Sequence, residues 1–242
     1  GLGTLNNVIQ QIPLAGFLFI IPVFLQQVTK LNAFDTGLTL LPASMVILIC
    51  SLLGAKLSSR IDSKYVLMIG FLIAATGTFI LSGVFNVNTQ MQDLIPGTVV
   101  FGVGIGFLLS QLTNLTMAAA GKDQETDASG LLNCFKNLGY SMGTALIGVL
   151  LLLSVFGGLT AGIESTGLVD NTTKDEIHDG LFNYMEKMQT GTPQIPPQLV
   201  PYAPRIIDST ISSAMRQTFT VLSLILLLGF FTSLFIPSRK NP

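Results

Sequence analysis

Charged and metal-binding residues are scarce in this chain. Only 10% of its 242 residues are charged, whereas a soluble domain has about 25%. There is one histidine, His178, and there are two cysteines, so no spacing suited to a metal site occurs. No nucleophile stands near a general base, and no acid or histidine lies near the middle of a long apolar run. The sequence therefore argues against an enzyme, and no metal or other cofactor is expected.

Long apolar runs dominate what is present. Each contains roughly 20 residues or more, which is enough for a helix to cross a hydrocarbon core of about 30 Å. The runs lie at about residues 5–29, 36–57, 65–86, 93–119, 129–157 and 216–236. They predict an all-α membrane protein with six transmembrane helices, which could form a three-plus-three inverted repeat.

Three segments follow from these runs. Residues 1–157 are predicted to form a five-helix membrane portion, and residues 216–242 the last transmembrane helix and a tail. Between them, residues 158–215 form a long loop, with apolar residues at helical spacing over about 174–189 that predict a short amphipathic helix. The chain has no initiator methionine, so we expect it to be part of a longer protein.

Basic residues in the loops indicate the orientation. They cluster between the second and third runs and recur after the fourth and sixth, at Lys56, Arg60, Lys64, Lys122, Arg239 and Lys240. Cytoplasmic loops carry such an excess of Lys and Arg. We therefore expect a multi-pass protein of the cell membrane with both ends in the cytoplasm and the 158–215 loop outside.

Uncharged amides are the main polar groups inside the predicted helices. Asn6, Asn7, Gln10 and Gln11 open the first run. Asn7 and Gln11 share a helix face, as do Gln111 and Asn114 in the fourth run. An amide that faces lipid leaves its donors and acceptors unpaired, so these groups either line a cavity or bond one helix to another. The candidate cavity residues are Asn7, Gln11, Gln26, Gln111 and Asn114.

Small residues and one cation mark the fifth run. Gly139 and Gly143 lie one turn apart, a spacing that lets helix backbones approach closely and slide. Lys136 lies about two turns inside the same run. Its long side chain either reaches the interface or places a cation in a cavity or beside an acid such as Asp127.

Three motifs resemble the major facilitator superfamily, in its fourteen-helix drug:proton antiporter branch. The first joins Leu25-Gln26-Gln27 to Gly37-Leu38 and Leu41-Pro42 across a short turn. The second is the Gly-rich, basic loop with Gly54, Arg60 and Lys64. The third runs from Gly130-Leu131-Leu132-Asn133 through Lys136 to Gly143. The loop motif departs from the family pattern, because Ser59 stands where the family has Asp and Asp62 where it has Gly.

The resemblance implies that this chain is the C-terminal six-helix half of a transporter. Its expected partners are the lipid bilayer, the N-terminal half of the same transporter and a hydrophobic small-molecule substrate. Protons would be coupled through acids of the other half, and no nucleic acid is expected. The resemblance and the glycine pattern together suggest six gating or conformational residues, namely Gly54, Arg60, Lys64, Lys136, Gly139 and Gly143.

Two functions from different classes remain open. The leading one is the C-terminal half of a proton-coupled multidrug efflux transporter that exports hydrophobic compounds by alternating access. The alternative is a six-helix membrane sensor or structural subunit whose outer loop binds a partner. Substrate, direction and stoichiometry do not follow from the sequence.

Overall fold

Helices account for the regular structure of this chain in the computed structural model. The structure describes residues 2–58, 60–86, 89–120, 125–165 and 203–236, and within these ranges it contains helices and no strands. The six helices are α1 Leu2–Gln27, α2 Ala33–Leu57, α3 Ser63–Val84, α4 Met91–Ala120, α5 Glu125–Ser165 and α6 Ala203–Leu234. The predicted all-α membrane architecture is confirmed.

Five of the helices are long and apolar enough to cross a membrane. Their qualifying segments contain 22 to 25 residues and belong to α1, α2, α3, α4 and α6. Over the residues that the structure describes, α5 is not among these five, although it has 41 residues. α5 continues to Ser165 and α6 begins at Ala203, so both helices extend into the segment 158–215.

Side chains near the helix starts explain where two helices begin. Asn32 is the N-cap of α2 and accepts a hydrogen bond from the Asp35 backbone N–H at 2.8 Å. At the start of α4, the Asp93 carboxylate accepts from the Gln90 backbone N–H at 2.9 Å. Each contact satisfies a backbone donor that the helix itself leaves without a partner.

The helices pack in two groups that meet along α1–α4 and α3–α6. α4 packs against α2 and α3, while α1 packs against α5 and α6. If α1 corresponds to α4, α2 to α5 and α3 to α6, then the α1–α5 contact corresponds to α4–α2. In the same way, the α1–α6 contact corresponds to α4–α3. This packing pattern places α1 and α4 at the centre of the bundle.

The two ends of the bundle differ in character. We call the end where α1 begins, α2 ends and α3 begins the basic end, after Arg60 and Lys64. The opposite half holds stacked or edge-on phenylalanines, with ring centroids 4.9 Å apart in both Phe24–Phe85 and Phe85–Phe219. The Phe17–Phe101 stack, at 4.6 Å, joins α1 to α4. Buried amides lie on the basic-end side of these rings.

Some predicted features lie outside the described residues. These are the amphipathic helix at 174–189, His178, Ser59, Lys122 and the tail containing Arg239 and Lys240.

Candidate functional site

Four amide side chains in two successive turns of α1 are buried at the basic end. Asn6, Asn7 and Gln10 have no exposed surface, and Gln11 is 7% exposed. The Asn7 side chain donates to the Gly3 carbonyl of its own helix at 3.1 Å. Asn6 accepts from the Thr232 hydroxyl of α6 at 2.6 Å. The basic end of α1 is therefore a polar surface turned into the bundle.

Gln11 lies at a close contact between α1 and α5. A β-carbon built on Gly139 would lie 2.8 Å from the Val8 carbonyl oxygen and 2.9 Å from Gln11 Cβ. One turn later, a β-carbon on Gly143 would lie 2.8 Å from Ile12 Cα. Both glycines are buried, so their missing side chains let the two backbones touch. The structure thus brings the cavity candidate Gln11 next to the conformational candidate Gly139.

Gln111 joins α4 to α2. Its Nε2 donates to the Gly54 carbonyl oxygen at 2.6 Å, and that oxygen also accepts from the Ser58 backbone N–H at 3.1 Å. Gln111 has no exposed surface. Gly54 packs against Ser110 and Phe107, so its lack of a side chain makes the contact possible. Two candidates predicted for different roles, one for the cavity and one for gating, therefore form a single helix-to-helix tie.

Gln26 and Asn114 are not part of these contacts. Both side chains are exposed on the bundle surface. Gln26 lies at the end of α1, away from the basic end, whereas Asn114 lies near the basic end of α4. The five cavity candidates therefore do not form one cluster, because three are buried between helices and two are at the surface.

Lys136 links α5 to α4. Its side chain is half-buried, and Nζ donates to the Thr113 hydroxyl at 3.4 Å. Thr113 in turn donates to the Leu109 carbonyl at 2.9 Å. Asp127 lies nine residues earlier on α5, which is about 13 Å along a helix axis. The structure therefore gives Lys136 a hydroxyl partner on the neighbouring helix.

The two basic loop residues differ in their contacts. Lys64 Nζ, in the first turn of α3, donates to the Leu234 carbonyl at 2.7 Å. Leu234 is the last residue of α6, so the ammonium group stabilises the negative end of that helix. Arg60 lies in the α2–α3 turn with an exposed side chain. Lys64 thus has a structural contact, while Arg60 is accessible to other groups.

The buried polar side chains of the described helices include no acid. Among the side chains that the structure describes, the buried polar groups are amides and hydroxyls, with no Asp or Glu. Nor does any group of three His, Cys, Asp or Glu residues lie close enough to hold a metal ion in the described ranges. The polar interior of these ranges is therefore uncharged, apart from the half-buried Lys136.

Two further amides of α1 belong with the predicted pair Asn7 and Gln11. Asn6 and Gln10 precede them by one residue each and have the same spacing of four. In the structure Asn6 and Gln10 are also fully buried. Two pairs of adjacent amides one turn apart, Asn6-Asn7 and Gln10-Gln11, indicate that two neighbouring faces of α1 are polar.

Length, apolarity and helix packing together define a multi-pass helical membrane protein. The profile of the Major Facilitator Superfamily matches residues 4–144. The chain therefore belongs to this superfamily, whose members are transporters rather than enzymes.

Curated relatives include proteins named for drug resistance and efflux. The chain is 26% identical over 134 residues to the colistin resistance protein EmrB of Acinetobacter baumannii, covering 55% of this chain and 26% of that protein. It is 30% identical over 141 residues to the probable actinorhodin transporter of Streptomyces coelicolor, covering 56% and 23%. It is 28% identical over 146 residues to the multidrug efflux pump LfrA of Mycolicibacterium smegmatis, covering 60% and 29%. The chain thus spans less than a third of these relatives.

Proposed function

We propose that this chain is the C-terminal six-helix half of a proton-coupled efflux transporter for hydrophobic compounds. The observation that carries the proposal is the superfamily match over most of the first five helices, with relatives named for drug resistance. Those relatives are more than three times as long as the aligned region. A second half of the same transporter would supply the remaining helices and complete a central site.

The packing supports a three-plus-three inverted repeat. α1 and α4 occupy equivalent places in their contacts with the other helices, although α5 packs against α6 whereas α2 and α3 have no comparable contact. Three helices is an odd number, so the two units cross the membrane in opposite directions. Repeats of this kind place the substrate at the interface between units, near the middle of the bilayer. The central helices α1 and α4 then line the transport route.

Substrate contact is assigned to the exposed amides of these central helices. Gln26 and Asn114 can reach a molecule outside the bundle, whereas Asn7, Gln11 and Gln111 are enclosed within it. A route lined by apolar side chains and a small number of polar groups suits a lipophilic substrate, because such a substrate loses little hydration when it leaves water. Enclosed amides would act by holding helices at fixed distances around that route.

Proton coupling is assigned to the half that this chain would pair with. Coupling needs a group that gains and loses a proton during the cycle, and membrane-embedded acids serve this purpose. The buried polar side chains of the described helices are amides and hydroxyls, none of which is a proton-carrying acid. Protons that bind to acids of the other half would then drive the movement of both halves.

The experiment is export of several chemically distinct lipophilic dyes by the complete protein that contains this chain. Cells that express it should export the dyes faster than cells that do not. A protonophore that dissipates the proton gradient should abolish the difference, since no other coupling group is proposed. Export that continues unchanged after the gradient is lost would contradict proton coupling, and absence of export for every dye would contradict the efflux function.

The orientation is proposed from the basic residues, with the basic end in the cytoplasm. Ile61 is exposed at the basic end and Gln90 is exposed at the opposite end. On a background in which Cys50 and Cys134 are replaced by alanine, Gln90→Cys should react with an impermeant maleimide in intact cells. Ile61→Cys should react only after permeabilisation. The reverse pattern would invert the proposed topology.

Arg60 is proposed to act on the conformational equilibrium. Its side chain is exposed beside the α2–α3 turn, so it is free to pair with another part of the transporter in one state of the cycle. An exposed ion pair contributes about 0–1 kcal/mol, which changes a balance of states more than it changes folding. We expect Arg60→Ala to slow dye export with an unchanged amount of folded protein, and Arg60→Lys to keep most of it. Equal export by Arg60→Ala and the unsubstituted protein would remove Arg60 from the gating residues.

A further inference from the structure

Two side chains of α1 carry buried polar atoms without a hydrogen-bond partner in the described part of the chain. These atoms are Nδ2 of Asn6 and both Nε2 and Oε1 of Gln10. Neither residue has any exposed surface. Native proteins rarely leave such groups unpaired, because each gives up its bonds to water without replacement. The cluster therefore needs an occupant that both donates and accepts hydrogen bonds.

The three atoms lie on one face of α1. Asn6 and Gln10 are four residues apart, which places them one above the other on the helix. Asn6 Oδ1 already accepts from Thr232 of α6, and the Thr232 hydroxyl is also 3.0 Å from the Gly229 carbonyl oxygen. Phe17, two turns after Gln10 on the same face, stacks on Phe101 of α4. The unpaired atoms thus point into the seam that α1 forms with α4 and α6.

A proline in the next turn adds an acceptor. Pro13 is inside α1 and has no N–H to donate to the Ile9 carbonyl, which would otherwise be its acceptor one turn earlier. Ordered water is one of the means by which a membrane helix satisfies a carbonyl freed in this way. Ile9 is adjacent to Gln10, so the freed carbonyl and the unpaired amides occupy the same stretch of backbone.

Hydrogen-bonding chemistry and complete enclosure limit which molecule can bind beside Asn6 and Gln10. A metal cation would meet amide N–H groups that cannot coordinate it, and an anion would meet the Gln10 Oε1 lone pairs. Because these side chains are fully enclosed within this chain alone, neither lipid nor another half of a transporter can reach them. A single small molecule that donates and accepts fits both limits. Buried water typically forms about three such bonds.

We propose that an ordered water molecule binds in the α1–α4–α6 seam between Asn6 and Gln10. It accepts from Asn6 Nδ2 and Gln10 Nε2, and it donates to an oxygen of the same cluster. This internal hydration site lies beside the Pro13 interruption, so the basic end of α1 can shift against α6 while its amides exchange bonds with the water. The inference concerns α1 itself and does not depend on the proposed efflux function.

The test is water-edited solid-state NMR of the complete, unsubstituted protein in bilayers, with asparagine and glutamine side chains labelled with ¹⁵N. The Gln10 amide should receive magnetisation from water faster than the Gln111 amide. Gln111 is the matched control for the amide N–H groups that the measurement detects, because it is equally buried and its Nε2 donates to the Gly54 carbonyl and to the Ser110 hydroxyl, while only its Oε1 has no partner among the described residues. The measurement uses the unsubstituted chain, so it does not depend on the folding of a variant.

Transfer to Gln10 that is no faster than transfer to Gln111 would overturn the proposal. Gln10→Met, which keeps the side-chain length and removes both polar atoms, then identifies the cause. A thermal midpoint lowered by about 2–4 °C without rapid transfer would indicate direct pairing of the two amides. A raised midpoint without rapid transfer would indicate amides that are simply unpaired. Rapid transfer together with a lowered midpoint is the result we expect.

Discussion

Replacing Gly143 with leucine is expected to prevent α1 and α5 from packing. A β-carbon at this position would lie 2.8 Å from both Ile12 Cα and the Ile12 carbonyl oxygen, and 3.0 Å from Ala15 Cβ. Backbone atoms cannot rotate away as a side chain can, so the helices must separate. Overpacking of this kind costs typically about 1–3 kcal/mol, and occasionally more. We expect little monodisperse protein in size-exclusion chromatography and a clearly lowered thermal midpoint.

Gly148 provides the matched control on the same helix. A β-carbon built there meets nothing within 4 Å, so Gly148→Leu should leave the amount and midpoint of the protein nearly unchanged. Comparison of the two variants separates crowding at the α1–α5 contact from the general effect of adding leucine to α5. Equal losses in both variants, or normal behaviour of Gly143→Leu, would show that the close approach does not determine stability.

Dye export by the smaller substitution Gly143→Ala tests whether α1 and α5 slide against each other during transport. Gly143→Ala adds one carbon at the same contact, and because backbone lies opposite, a small displacement of α1 must follow. If sliding along this contact is part of the transport cycle, export should fall by more than the amount of folded protein does. Export that simply follows protein amount would assign Gly143 to packing alone.

The helices were predictable because their cause is local. A run of 20 or more apolar residues has one stable arrangement in a bilayer, in which every backbone group is satisfied within the helix. The first four predicted runs begin and end within a few residues of α1 to α4. The last helix begins earlier than the apolar run at 216–236, at Ala203.

The contacts of the amides were not predictable to the same degree. Gln111 and Asn114 are three residues apart, a spacing that predicts a shared face, yet Gln111 is fully buried and Asn114 is exposed. A spacing of three leaves about 60° between two side chains on a helix of 3.6 residues per turn. At the edge of a packed seam, that angle separates inside from outside. Which of the two side chains is buried depends on where α2 packs, and this position cannot be read from the sequence of α4.

Gln111 and Asn114 also give the sharpest test of which amides pack and which contact substrate. Gln111 Nε2 donates to the Gly54 carbonyl, and the residue has no exposed surface. Gln111→Ala removes this bond and leaves a space between α2 and α4. Loss of a buried long side chain and of its hydrogen bond together should cost about 2 kcal/mol or more. The thermal midpoint should fall by about 4 °C or more.

The same substitution at Asn114 should behave differently. Its side chain is exposed, and surface changes away from special contacts usually alter stability by less than about 0.5 kcal/mol. We therefore expect Asn114→Ala to leave the protein amount unchanged and to alter which of several chemically distinct dyes are exported. Gln111→Ala should instead reduce export of all dyes in proportion to the folded protein that remains.

Measuring the export of every dye together with the amount of folded protein distinguishes the two effects. Altered dye preference in Gln111→Ala at full protein amount would place Gln111 in the substrate route, and an equal loss for every dye in Asn114→Ala would remove Asn114 from it.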